Sequence, residues 1–309
     1  MREITKVAVL GAGAMGASFA SKFFDVEDIS TSLVARGERY DRLKKDGLVV
    51  NGKEYFIPVI HPDEVASPAD LIIVALKNHH LPGAVNDLKN LVGEQTTIIS
   101  IMNGLDSEEF IGSVYGMKKI LYAISVAIDA VREGNRITYT NPGKHYFGEK
   151  TNTRISQKIR RVQAAFDRAK IAYETPVDMI RMLWWKFMVN VGMNQTSAAM
   201  QAPYGVFQSS PYARELMETS MQEVVVLAKA AGIDLKEKDI DDWYGLLKTL
   251  SPQGKTSMLQ DIEAGRKTEI EIFAGKVVEL GKTYDIPAPV NETFLRIIRV
   301  LEFVNDSSS

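Results

Sequence analysis

Four short apolar runs mark the first half of the chain: Lys6 to Leu10, Ser32 to Ala35, Leu71 to Ala75 and Thr97 to Ile101. They are nearly continuous in hydrophobic residues instead of alternating, which is how strands covered by helices on both faces read. Helical stretches separate them, so the pattern predicts a parallel sheet built by crossovers. After Ile137 the spacing changes to alternating strands around Asn141-Pro142-Gly143. An amphipathic helix near Ile155 to Lys170 and a short strand at Ile171 to Glu174 follow. From Val177 onward nearly everything reads as helix, with Gly232, Gly265 and Gly281 placed as helix stops and Pro287 and Pro289 as a break. The expectation is an α/β chain: a parallel-sheet domain over residues 1–176, then an all-helical domain over residues 177–309.

Composition narrows the function. The chain has 309 residues, 45% hydrophobic and 25% charged, as expected of two globular domains with ordinary cores. Its formal net charge of -2 is spread along the chain, so nothing draws the whole molecule to nucleic acid or to an anionic membrane. Cysteine is absent, which excludes disulfides, thiolate metal sites and cysteine nucleophiles, and makes the cytosol the expected compartment. No apolar run approaches the roughly 18 residues of a membrane span, and the N-terminus lacks the pattern of a secretory signal. The Ser307 to Ser309 tail is expected to fray.

The first chemical motif is Gly11-Ala12-Gly13-Ala14-Met15-Gly16, which matches G-x-G-x-x-G. It follows the strand at Lys6 to Leu10 and opens an amphipathic segment ending near Phe24, the context of a dinucleotide site in a Rossmann-type domain. Gly11 permits the tight turn, Gly13 lets backbone approach a pyrophosphate, Gly16 allows close helix packing, and the helix N-terminus offers free N–H groups. The alternative is a glycine-rich turn without a ligand. At the end of the second strand, where NAD enzymes carry an acid for the ribose hydroxyl, this chain has Arg36. Its planar fork suits a 2'-phosphate, so NADPH is favoured over NADH. Against that stand the ordinary solvated arginine and Glu38, close enough to do an acid's work.

A second constellation lies in Trp184 to Asn194, where Lys186, Asn190 and Asn194 recur at i, i+4 and i+8 and form one polar stripe on an α-helix. Such a stripe faces solvent or lines a polar cleft, and the neighbouring tryptophans, methionines and valines favour the cleft. Further on, Thr268-Glu269-Ile270-Glu271 reads as a T-x-x-E capping box that starts a helix, with Glu269 in its first turn. Reduction of a 2-oxo acid needs a hydride donor, a proton donor and groups for the carboxylate. A lysine whose pKa is lowered by burial can supply the proton. The histidines, His61, His79, His80 and His145, have no metal-ligand spacing, and no metal is expected.

Taken in order, the glycine loop, Arg36, Lys77, Asn103-Gly104-Leu105, the Lys186/Asn190/Asn194 helix, Ser257-Met258-Leu259-Gln260-Asp261, Arg266, Thr268 and Glu269 resemble the ketopantoate reductase family along almost the whole chain. The resemblance implies a Rossmann domain joined to a helical domain with the active site between them. It also implies NADPH-dependent reduction of 2-dehydropantoate to (R)-pantoate, on the way to pantothenate and coenzyme A. By position, Lys186 is then the general acid and Glu269 the carboxylate that orients it and the substrate hydroxyl. Asn190, Asn194 and Ser257 become substrate ligands, and Asn103 and Lys77 contacts at the nicotinamide ribose. A homodimer is a further expectation. This chain differs from the family pattern at Asn78-His79-His80 after Lys77, at Gln195 where proline is common, and at Gly254 where some members have asparagine. A reductase of another 2-oxo acid on the same fold, and a non-catalytic NADP(H) sensor, are the competing readings.

Overall fold

A computed structural model describes residues 3–307. The chain divides into two compact units, Met1–Met182 and Leu183–Ser309, and the division falls inside a helix, Met179–Val189.

The strands of the first unit are β1 (Lys6–Leu10), β2 (Ser30–Val34), β3 (Leu48–Val50), β4 (Lys53–Tyr55), β5 (Val59–Ile60), β6 (Leu71–Val74), β7 (Thr97–Ser100), β8 (Ile120–Ile128), β9 (Val131–Glu133), β10 (Arg136–Thr138), β11 (Pro142–Gly148) and β12 (Tyr173–Glu174). Among the described residues, eight of them form one sheet in the order β12-β11-β8-β7-β6-β1-β2-β5. All neighbours in it are parallel except β11 and β8, and a small sheet, β4-β3-β10-β9, stands apart from it.

Continuous apolar strands have a direct cause here. Val7 and Val9 of β1, with Leu71 and Ile73 of β6, belong to one hydrophobic core; Ala8, Leu10, Ile72 and Val74 belong to the other. Successive side chains point to opposite faces, so a strand buried on both needs an apolar residue at every position. One face is covered by α1 (Ala14–Phe24), which contributes Phe19 and Phe23. The other face receives Leu81 of α3 (Leu81–Ala84), with Val85 and Leu88 just beyond it, and Ile111 of α4 (Ser107–Tyr115). Two further helices belong to the same unit: α2 (Gly37–Asp46), after β2, and α5 (Gln157–Arg168), which puts Phe166 in the first core.

Met179–Val189 is α6, and beyond it the described structure is helical: a π-turn at Asn190–Asn194, then α7 (Gln195–Met200), α8 (Tyr204–Ser209), α9 (Pro211–Ala230), α10 (Lys238–Leu247), α11 (Ser257–Glu263), α12 (Ala274–Tyr284) and α13 (Pro289–Ser307). Gly232 and Gly265 follow α9 and α11 in the left-handed region, at φ +77° and +61°, as helix stops do. Gly281 corrects its expectation. It lies inside α12, and the stop is Asp285 at φ +55°. The glycine is needed for closeness instead: the chain folds back so that Ile286 N donates to Gly281 O at 2.8 Å, and a Cβ there would stand 2.6 Å from Ile286 O. Ser307 is also corrected, since it closes α13 with its hydroxyl donating to Phe303 O at 2.8 Å; Ser308 and Ser309 lie outside the described residues. No helix among the described residues is long and apolar enough to cross a membrane.

Candidate active site

In the first unit β1, β2, β6 and β7 run parallel, so the segments after them collect at one edge of the sheet. That edge carries the glycine loop, Arg36, Lys77 and Asn103. Gly11 sits at φ +101°, where a Cβ would meet Ala75 O at 2.4 Å, and a Cβ on Gly16 would stand 1.8 Å from Gly11 O. Both glycines are therefore required by the packing of loop, strand and helix. Gly13 is different: no protein atom lies within 4 Å of where its Cβ would be, and it caps α1 with no side-chain hydrogen bond. Ala12 is buried; Ala14 and Met15 are partly exposed in the first turn, which holds no acid. A backbone surface of this kind fits the pyrophosphate of a dinucleotide, held by helix N–H groups.

Arg36 follows β2 as the N-cap residue of α2, in extended conformation. Its guanidinium bonds to the carboxylate of Asp87, which is buried while the arginine remains largely exposed. Sequence reading missed Asp87 because 51 residues separate the partners and neither flank carries a motif. Lys77 follows β6 and precedes a single 3-10 turn, Asn78–His80, in which His79 and His80 lie with ring centroids 4.2 Å apart. The charges of Arg39 and Lys77 both reach His80, whose pKa is lowered first by burial and then by these two cations.

Asn103 follows β7 in a turn with Gly104 at φ +94°. A buried chain fixes that segment: the hydroxyls of Ser100 and Ser107 share a 2.7 Å hydrogen bond, Ser107 Oγ donates to Glu108 Oε2 at 2.8 Å, and Ala123 N donates weakly to Glu108 Oε1 at 3.5 Å. Burial pushes the Glu108 carboxyl up to about 7, against the opposing pull of these hydrogen bonds.

In the second unit Lys186 lies on α6, and burial lowers its pKa to about 8 although part of the side chain stays accessible. Asn190 and Asn194 do not continue an α-helix, as their spacing suggested. They bound the π-turn, yet remain neighbours, with Asn194 Nδ2 donating to Asn190 Oδ1 at 3.4 Å. Two contacts hold this turn. Gly192 presses on Met221 of α9, and Thr196 Oγ1 bonds back to the Gly192 carbonyl and reaches Met193 O at 3.3 Å. Single π-turns inside helices recur at functional sites because they re-aim side chains.

Behind the turn, Gln195 is fully buried, and its Nε2 donates to Ser220 Oγ at 2.9 Å and Asn291 Oδ1 at 2.5 Å. Asn291 Nδ2 in turn donates to Glu223 Oε2 at 2.6 Å. Ser257 opens α11 from an exposed position after the N-cap Thr256, and α11 packs against both α7 and the π-turn. Glu269 is buried and precedes a 3-10 turn, Ile270–Ile272. The capping box is not formed. Thr268 Oγ1 accepts from Ile270 N at 3.2 Å and donates to Glu302 Oε1 at 2.6 Å, while Glu271 turns to Arg299 at 2.8 Å. No cluster of side chains suited to a metal ion occurs among the described residues.

A glycine loop of the G-x-G-x-x-G kind on a parallel sheet, followed by a helical unit, is the architecture of a dinucleotide-dependent oxidoreductase. Residues 7–152 match the family described as Ketopantoate reductase PanE/ApbA, and residues 178–302 match Ketopantoate reductase PanE/ApbA C terminal. The chain belongs to the ketopantoate reductase family. The 2-dehydropantoate 2-reductase of Aquifex aeolicus strain VF5 is 26% identical over 310 residues, covering 98% of each chain. Two solved structures share the fold. One is a D-mandelate dehydrogenase with NADH and anilino(oxo)acetate, at TM-score 0.88 and 22% identity, covering 97% of this chain and 99% of that one. The other is a dimeric ketopantoate reductase from Staphylococcus aureus, at TM-score 0.82 and 21% identity with the same coverage.

Proposed function

We propose that the protein reduces 2-dehydropantoate to (R)-pantoate with NADPH, serving pantothenate and coenzyme A synthesis in the cytosol, with Lys186 as general acid. The observation that carries this reading is the lysine itself: burial brings it to about 8, so near neutral pH it remains largely charged yet gives up a proton readily. The bound nicotinamide supplies the hydride to the C2 ketone. Lys186 donates its proton to the developing alkoxide and is left as the neutral amine that its surroundings favour. Glu269 orients the ammonium and accepts the substrate hydroxyl, while Asn190, Asn194 and Ser257 bind the remaining polar groups. Gly11 to Gly16 hold the pyrophosphate, Arg36 the 2'-phosphate, and Lys77 and Asn103 the nicotinamide ribose.

The A. aeolicus relative supports the substrate, and the dimeric S. aureus protein supports a homodimer. A second reading keeps the chemistry and changes the oxo acid or cofactor. It is favoured by Asp87, which brings a carboxylate to Arg36, and by the D-mandelate dehydrogenase with NADH. A panel of 2-oxo acids with NADPH and NADH, followed at about 340 nm as nicotinamide is consumed, tests both. Turnover of 2-dehydropantoate far above the other acids supports the first reading; preference for an aryl or unhydroxylated acid overturns it.

A further inference from the structure

Arginine and lysine side chains of the first unit mostly have evident partners. Lys119 Nζ donates to the carbonyls of Gly93 and Glu94 at 2.6 and 2.8 Å. Lys158 Nζ donates to those of Lys118 and Ile120 at 3.0 Å, and Arg168 pairs with Asp28 at 2.5 Å. Arg39 departs from this pattern. It is only partly exposed, and makes no hydrogen bond or ion pair among the described residues. Its surroundings disfavour its charge, first through burial and then through Arg42, which has the same sign. A half-buried guanidinium without a counter-ion is costly, and an anion that docks against it relieves that cost.

Its position says which anion. Arg36 is the extended N-cap residue of α2 and Arg39 stands three residues on in its first turn, the two positions that lie across from each other in a capping box. Glu38, two residues from Arg36, is exposed. Arg39 also reaches His80 by charge, together with Lys77, although one arginine follows β2 and the lysine and histidine follow β6. Both strands pair with β1, so these groups approach one another across the end of β1, where the glycine loop begins. In a dinucleotide fold that is where the adenosine ribose lies. At this place Asp87 offsets the charge of Arg36, and a phosphate carrying close to two negative charges needs a second cation.

We propose that Arg39 is that second cation: with Arg36 it forms a two-armed clamp on the 2'-phosphate of the cofactor, and Asp87 holds the Arg36 fork in place. This rests on the NADPH reading above and adds a residue to it. The fork geometry of arginine suits bidentate contact with phosphate, and the contact strengthens where the guanidinium is already partly desolvated.

Calorimetric binding of 2',5'-ADP and of 5'-AMP, two fragments that differ by the phosphate in question, tests the clamp in the full-length protein. The parent should bind 2',5'-ADP the more tightly. Arg39→Ala should weaken 2',5'-ADP by about tenfold to a hundredfold, the range for a charge-assisted hydrogen bond, and change 5'-AMP little. Arg39→Lys, which keeps charge and bulk but loses the fork, should fall between parent and alanine variant and guards against misreading a folding defect. If the parent prefers 2',5'-ADP and both variants keep that preference in full, Arg39 is no part of the clamp while the NADPH reading stands. If the parent binds the two fragments alike, the NADPH reading fails and the clamp fails with it.

Discussion

Met221 lies so close to Gly192 that a Cβ on the glycine would stand 2.3 Å from Met221 Cγ. Both residues are buried, so there is little room to yield. This contact lies where the π-turn that carries Asn190 and Asn194 packs against α9. Gly192→Ala is therefore expected to cost about 1–3 kcal/mol, the usual range for overpacking, and to raise KM for the oxo acid by moving both asparagines. Urea unfolding and steady-state kinetics check this. A variant as stable as the parent, with unchanged KM, would show that Met221 gives way freely.

Glu108 predicts a pH dependence of stability. Burial raises its folded pKa from 4.5 to about 7, so between these values the folded state holds more of the proton than the unfolded state does. The sign follows: this group's contribution is fully present below pH 4.5 and is lost as pH rises through about 7. Glu108→Gln removes the titration while keeping the shape. The variant should gain stability relative to the parent across that window, with the difference levelling off above it. Denaturant midpoints at several pH values measure it, and parallel curves for the two proteins would overturn the assignment.

What the sequence discloses and what it hides divide along a physical line. Four adjacent strands of the large sheet, β7, β6, β1 and β2, were legible because two-sided burial demands nearly unbroken apolar runs, and the glycine loop because its steric needs are local, whereas β8 and the two-residue β5 were not read. Arg36 was legible as a residue, but its partner Asp87 was not: a tertiary contact across 51 positions leaves no periodic trace. Lys186, Asn190 and Asn194 were read as one α-helical stripe. The π-turn was invisible because the contacts found at it, Gly192 against Met221 and the Thr196 back-bond, are tertiary or backbone contacts that leave the spacing unaltered. Thr268-Glu269-Ile270-Glu271 has the letters of a capping box, yet Glu302 and Arg299 of α13 claim its side chains. Gly281 looked like a stop because glycine serves closeness and left-handed turns equally well.

Glu269→Gln separates orientation from charge. The amide keeps the volume of a buried carboxyl but loses the charge proposed to hold Lys186 and accept the substrate hydroxyl. The expected result is a higher KM for the oxo acid together with a kcat lowered by about tenfold to a hundredfold, as for loss of a charged hydrogen bond. Comparing 2-dehydropantoate with an analogue lacking the hydroxyl tells which task matters. An equal loss on both leaves only the orientation of the lysine, and no loss on either makes Glu269 a structural acid.

Lys186 is the most exacting test. If its ammonium delivers the proton to the alkoxide, Lys186→Met should lower kcat by roughly 10²–10⁴, the range for removing a general acid, because methionine fills much of the volume and carries no proton. NADPH affinity, followed by fluorescence, should change little, since the proposed phosphate contacts belong to the first unit. The pH profile adds an independent reading. With the lysine lowered to about 8, the protonated form needed for reduction is lost as pH rises through that value, so kcat for reduction should fall on the alkaline side of about 8. An unperturbed lysine would keep its proton until about 10.4. The residual activity of the methionine variant should lack the alkaline fall near 8. Retention of more than about a third of parental kcat by Lys186→Met lies far outside the general-acid range. That result, or the same alkaline fall in parent and variant, would return the lysine and its two asparagines to a polar stripe without a part in the chemistry.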